Sequence, residues 1–251
     1  MEKKVFRVGS VGIGGISRGV HLPGIHKSPD LELVAVCDLK PERMEYARNT
    51  YGIREDHCFA DYHDLIACPD VDVIDISTSN NAHFEVAKAA IEAGKPFCLE
   101  KPVTLTAEEA DILAKAAQEK GIPNMVCFSY RFKAAARYAK ELVEKGMLGD
   151  IYHVYMQYLQ GGGGPSYDLP RSWRYQKELT GTGALGDMAC HILHPVFKGL
   201  KLGYPTKVEG SSTLLLNESA PSAQRVKFIF PARDNMPKVA MPEVEVHWYD
   251  G

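Results

Sequence analysis

Residues 5–17 read VFRVGSVGIGGIS, an apolar run that breaks into glycine at 12, 14 and 15. The run predicts a buried strand, and the glycines stand where a strand would turn into a helix. Gly12 permits the tight turn. Gly14 lets the backbone approach a pyrophosphate seated on the following helix N-terminus, with Gly15 and Ile16 completing the turn. The third glycine of the dinucleotide fingerprint falls on Ser17, a small residue. A second apolar run, ELVAVCD (32–38), ends in Asp38, 24 residues past Gly14. An acid there accepts hydrogen bonds from a ribose diol and repels a 2′-phosphate. NAD is therefore the expected cofactor, and Lys40 and Arg43 nearby keep NADP open.

The same alternation continues. VDVIDIST (71–78), PFCLE (96–100) and NMVCFSY (124–130) read as further buried strands. PERMEYARNTYG (41–52), NAHFEVAKAAIEAG (81–94) and TAEEADILAKAAQEKG (106–121) read as helices, the last with Thr106 as its N-cap. Strands and helices in turn imply a doubly wound parallel sheet of Rossmann type over residues 1–124. After that the rhythm changes. A helix over 134–149 leads to an alternating strand (151–160), a Gly-rich loop from 161, a helix near 186–200, and strands at 207–216, 225–230 and 243–249. Strands in succession predict an α+β domain over 125–251 with a mainly antiparallel open sheet. The last of them, ending in VHWYDG, reads as a strand in mid-sheet, so the domain is expected to be incomplete at its C-terminus.

Net charge is −3 over 251 residues, without a dense Lys/Arg cluster, which argues against a nucleic-acid partner. No segment approaches the roughly 20 apolar residues of a membrane span. The six cysteines are widely spaced, with no Cys/His ligand spacing, so a reduced, cytoplasmic protein without structural zinc is expected.

Two further stretches carry candidate chemistry. In GDMACH (186–191), Asp187 and His191 stand four apart, one helical turn, as a surface ion pair or a reactive pair would. EAGKPFCLEKP (92–102) places Lys101 just after a strand. Together with STSNNAH (77–83), SYRF (129–132), SWRY (172–175) and GALGDMACH (183–191), this stretch resembles the Gfo/Idh/MocA oxidoreductases. The resemblance implies that Lys101, Asp187 and His191 meet around nicotinamide and substrate, with Thr78, Asn80, His83 and Glu100 along the cofactor. It also implies a homo-oligomer formed through the open sheet. His194 stands where relatives often carry Asp, at a substrate contact.

Oxidising a secondary alcohol removes a hydride and a hydroxyl proton from one held geometry. His191 is the natural proton acceptor, since imidazole titrates near neutrality. Lys101 can donate to the reacting oxygen or relay the proton, and the choice of base between the two stays open. Asp187 orients the imidazole or bonds a substrate hydroxyl. Arg131 anchors cofactor or substrate, or forms an interdomain salt bridge. Trp173 and Arg174 would wall a sugar ring, or fill the domain interface, and Tyr130 reads most simply as core. The leading expectation is an NAD-dependent dehydrogenase acting on a sugar or cyclitol. An NAD-dependent glycosidase that oxidises transiently and a non-catalytic NAD(P)-binding regulator are the alternatives.

Overall fold

In the computed structural model, residues 4–159, 173–214, 219–236 and 238–250 are described, and the chain divides into two units between Cys127 and Phe128. The Gly-rich loop from 161 through Ser172 lies outside the described residues, as do 215 and 216 at the end of one expected strand.

The first unit contains β1 (Phe6–Val11), α1 (Leu22–Lys27), β2 (Leu31–Cys37), α2 (Pro41–Tyr51), β3 (Cys58–Phe59), α3 (Tyr62–Ala67), β4 (Val73–Ile76), α4 (His83–Glu92), β5 (Phe97–Leu99), α5 (Ala107–Glu119) and β6 (Asn124–Val126). Its six strands pair in parallel in the order β3-β2-β1-β4-β5-β6. This is the doubly wound order of dinucleotide-binding sheets. Apolar runs without alternation suit strands covered on both faces. Leu65, Val86, Ala87, Ile91 and Leu113 of α3, α4 and α5 share one core cluster, while Leu22, Ile25 and Ala47 of α1 and α2 share the other. Thr106 caps α5 as expected: its hydroxyl accepts from the Glu109 amide, and the Glu109 carboxylate accepts from the Thr106 amide. The strand expected over 124–130 stops at Val126, and Ser129–Phe132 form a 3₁₀ turn instead.

The second unit holds α6 (Ala134–Glu144), β7 (His153–Tyr158), α7 (Lys177–Thr180), α8 (Cys190–Gly199), β8 (Lys207–Thr213), β9 (Ala223–Phe230) and β10 (Val244–Asp250). The sheet order is β7-β10-β9-β8. β8, β9 and β10 run antiparallel, as successive strands predict, but β7 pairs with β10 in parallel. A long excursion through α7 and α8 separates β7 from the other strands, which gives the chain room to return in the same direction. Val244, Val246 and Trp248 of β10 are buried in one cluster with Val143 of α6 and Met156 of β7, each large side chain contributing about 1.5–3 kcal/mol. Glu245, His247 and Tyr249 alternate onto the half-exposed face. No helix among the described residues is long and apolar enough to cross a membrane.

Candidate functional site

Parallel strands end at one edge of their sheet, so residues just beyond them gather there whatever their separation in sequence. Gly12 follows β1, Asp38 follows β2, Ser77 and Thr78 follow β4, and Glu100 and Lys101 follow β5. Gly12 has φ +89°, and a Cβ on it would stand 2.8 Å from the Ser77 carbonyl and the Thr78 amide. Backbone atoms cannot swing aside, so only glycine fits. The Gly12 amide donates to the Cys37 carbonyl at 2.8 Å, and its own carbonyl accepts from Ser77 Oγ at 2.8 Å.

Asp38 is 7% exposed. Its Oδ2 accepts from the Ile13 amide at 2.7 Å and its Oδ1 from the Lys40 amide at 2.9 Å, while Arg43 Nη1 lies 3.2 Å from Oδ2. The acid expected to meet a ribose thus also clamps the glycine turn from behind. By contrast, a Cβ added at Gly14 or Gly15 would meet no protein atom within 4 Å. Packing does not require those two glycines, which fits a turn kept bare for the close approach of a phosphate chain. Ile16 beside them is exposed, and the buried Thr78 hydroxyl at the same edge has no hydrogen-bond partner. These features fit a dinucleotide.

Ser17, in the place of the third glycine, is fully buried and its hydroxyl is unpartnered. The hydroxyl is thus desolvated without return. Ser17→Ala is expected to raise the unfolding free energy by up to about 1 kcal/mol, read from urea unfolding.

Beneath the edge lies a charged cluster that sequence reasoning missed. A π-helical turn, Ser17–His21, precedes α1 and brings the His21 ring between two acids. His21 Nδ1 is 2.8 Å from Asp75 Oδ1 and Nε2 is 3.0 Å from Glu100 Oε1. Ser10 Oγ donates to Asp75 Oδ2 at 2.8 Å, and the Lys101 amide donates to Glu100 Oε2 at 3.0 Å. Burial alone would lower the His21 pKa, but the bonds to Asp75 and Glu100 outweigh it and push it from 6.5 to about 10. Burial would likewise raise the Glu100 carboxyl, yet His21 and the Lys101 charge hold it below its ordinary range. Glu100, expected along the cofactor, is thus engaged by His21 and by the backbone it precedes.

The pH dependence follows. The imidazolium's contribution to stability is full below pH 6.5 and is lost as pH rises through about 10. Glu100's contribution is present above its ordinary 4.5 and is lost as pH falls through its lower folded value. The unfolding free energy from urea titration is expected to decline between pH 6.5 and 10, by at most about 1.4 kcal/mol per pH unit. The decline should flatten in His21→Gln.

His83 is fully buried. Its Nδ1 lies 2.7 Å from the Pro102 carbonyl and its Nε2 3.3 Å from the Thr78 carbonyl. Burial lowers its pKa, and a neutral ring donates one hydrogen bond, to the nearer carbonyl. His83 therefore braces the segment after Lys101 against the end of β4. Asn80 is buried at the start of the short turn Asn80–Ala82.

In the second unit, Leu185–Ala189 form a π-helical turn that runs into α8, with Asp187 in the turn and His191 at the second residue of the helix. His191 is buried and its ring stacks on Tyr130, with centroids 4.5 Å apart at 17°. The Tyr130 hydroxyl is 3.2 Å from that of Tyr158. His194 stacks on Phe128 at 4.5 Å and 18°, and Arg131 Nη1 lies 3.5 Å from its Nε2. The 3₁₀ turn and the residue before it thus offer alternate aromatic rings to two imidazoles on α8. Burial first, then Arg131 and Lys198, lower the His194 pKa, leaving a neutral ring that can accept from Arg131. Tyr130, read as core, is instead half-buried against His191. Arg174 Nε is 3.8 Å from Asp187 Oδ2, and its guanidinium lies 4.7 Å over the Trp173 ring. Asp187, Arg174 and Trp173 therefore come together. Stacking partners three residues apart on a helix are a readable signal only once SYRF is known to be a turn rather than a strand.

Residues 6–128 match the family described as "Oxidoreductase family, NAD-binding Rossmann fold", and residues 136–218 match the "GFO/IDH/MocA C-terminal domain". The chain is 38% identical over 158 residues to levoglucosan dehydrogenase of Pseudarthrobacter phenanthrenivorans, covering 63% of this chain and 40% of that protein. It is 33% identical over 210 residues to inositol 2-dehydrogenase of Salmonella typhimurium, covering 83% and 60%. The matches thus span less than two thirds of these relatives' length. A solved structure of levoglucosan dehydrogenase with NADH and L-sorbose superposes with a TM-score of 0.80 at 27% identity, covering 97% of this chain and 67% of that one.

Proposed function

Because this chain belongs to the Gfo/Idh/MocA oxidoreductase family, we propose that it oxidises a secondary hydroxyl of a sugar or cyclitol, with Lys101, Asp187 and His191 handling the proton and the substrate. The observation that carries this reading is the delivery of Gly12, Asp38, Thr78 and Lys101 to one edge of the parallel sheet. NAD, when bound, supplies the hydride acceptor. Gly12, Gly14, Gly15 and Ile16 would hold its phosphates, and Asp38 its ribose. Arg43, already paired with Asp38, is poorly placed to welcome a 2′-phosphate, which supports NAD over NADP.

Lys101 Nζ would donate a hydrogen bond to the reacting oxygen and stabilise alkoxide charge as it develops. The hydroxyl proton passes to His191, the C–H bond gives up hydrogen with both electrons, and a carbonyl remains. Stacking on Tyr130 fixes the plane of the His191 ring, so its nitrogens are held in position before substrate arrives. Asp187 and Arg174, with Trp173 beside them, would bond the other ring hydroxyls and cover one sugar face. Arg131 and His194 would complete the substrate contacts. Levoglucosan and inositol dehydrogenases among the relatives support polyhydroxylated rings as the substrate class.

Initial rates of NADH formation on myo-inositol, levoglucosan and D-glucose test the reading. At least one should turn over, with NAD preferred over NADP by about tenfold or more, as expected for an acid at the ribose. NADP preference would overturn the role given to Asp38, and no turnover on any of them would overturn the substrate class.

A further inference from the structure

On the half-exposed face of the second sheet, strand register brings together three side chains far apart in sequence. Glu245 of β10 lies directly opposite His153 of β7, and His247 is the next residue on the same face of β10. His153 Nε2 is 3.1 Å and His247 Nε2 is 3.0 Å from the same oxygen, Glu245 Oε2. The three ligand atoms all lie within 4.8 Å of one another. We propose that His153, Glu245 and His247 form a binding site for a divalent transition metal of the zinc type, joining β7 to β10.

Two imidazoles and one carboxylate are a donor set suited to zinc and its neighbours. A tetrahedral ion with bonds of about 2.0–2.1 Å spaces its donors about 3.3 Å apart, close to the separation of each imidazole nitrogen from Glu245 Oε2. The backbone does the spacing, since directly paired residues on neighbouring strands are held at fixed separation. Tyr155 stacks on the His247 ring at 5.0 Å and 22°, which limits its rotation. The Tyr249 hydroxyl lies 3.5 Å from His247 Nδ1. When Nε2 binds metal, the ring proton resides on Nδ1, and that hydroxyl oxygen is there to accept it. Water would fill the open side of the ion.

Other charges face the cluster. Lys227 Nζ is 3.8 Å from Glu245 Oε1, a repulsive neighbour for a cation, but it is held at 2.9 Å by Glu209 Oε2 on β8. A metal held by His153, Glu245 and His247 would link β7 to β10 across their shared register. Such a strut would secure the parallel pairing of β7 with β10, and it stands independently of the proposed activity.

Two other groups among the described residues could attract a metal, His57/Cys68/Asp70 and His21/Glu100/Cys127, and both contain sulfur. Cobalt(II) separates the possibilities. The purified full chain, stripped with chelator and titrated with Co²⁺ and then Zn²⁺ near pH 7.5, is expected to bind one equivalent with visible d–d absorption and no near-ultraviolet sulfur-to-cobalt band. His153→Gln and His247→Gln should each weaken binding by about tenfold or more while leaving circular dichroism unchanged. Zinc should raise the thermal midpoint of the parent and not of His247→Gln. A sulfur band, affinity unchanged in His247→Gln, or no binding at micromolar metal would overturn the proposal.

Discussion

His21→Leu is expected to remove about 3–5 kcal/mol of stability, seen as a large fall in the urea midpoint. The ring sits between Asp75 and Glu100 with a nitrogen 3.0 Å or less from each. Leucine keeps comparable bulk but leaves two buried carboxylates facing one another without a cation. One of them would take up a proton, and the hydrogen bonds from Ser10 and the Lys101 amide would be left to hold the rest. His21→Gln retains one donor and should lose less. Adding Asp75→Asn and Glu100→Gln to His21→Leu should recover part of the loss, because neutral amides are cheaper to bury than unpaired charge. A His21→Leu protein as stable as its parent would show that no buried imidazolium bridges these acids.

Lys101→Met is expected to reduce turnover by about a thousandfold or more while leaving the fold and NAD affinity nearly intact. Methionine preserves most of the aliphatic stem and removes only the ammonium. The Lys101 amide bond to Glu100 is made by backbone and survives the change. A loss confined to turnover assigns the ammonium to the reaction step, since about 4 kcal/mol corresponds to that factor. A rise in KM alone, with turnover preserved, would assign Lys101 to substrate binding instead. Saturation binding of NAD, followed by fluorescence, separates either outcome from damage to the cofactor turn.

Much of the first unit was legible because its signals are local. Unbroken apolar runs marked the strands, Gly12 marked the turn, and Thr106 with Glu109 marked a helix start. Asp38 was legible as a strand-end acid, though its bond to the Ile13 amide was not, because that contact joins two separate strand ends. His21 carries no local signal because a π-helical turn sets its direction, and helical periodicity does not reveal where such a turn falls. The aromatic run after Val126 mimicked a strand, whereas its rings stack on His191 and His194 from a later helix. The parallel pairing of β7 with β10, and with it the meeting of His153 and Glu245, depends on chain reversal over a distance that no local pattern encodes.

Transfer of a labelled hydrogen from substrate to NAD reports whether this protein takes hydride from a carbinol carbon. Purified protein is incubated with NAD together with, in separate reactions, myo-inositol, levoglucosan or D-glucose deuterated at every ring carbon, and the nicotinamide product is weighed by mass spectrometry. Direct hydride removal from a carbinol carbon predicts NADH one mass unit heavier, formed by the parent and not by Lys101→Met. Protein that binds NAD yet yields no labelled NADH from any of the three would contradict the account.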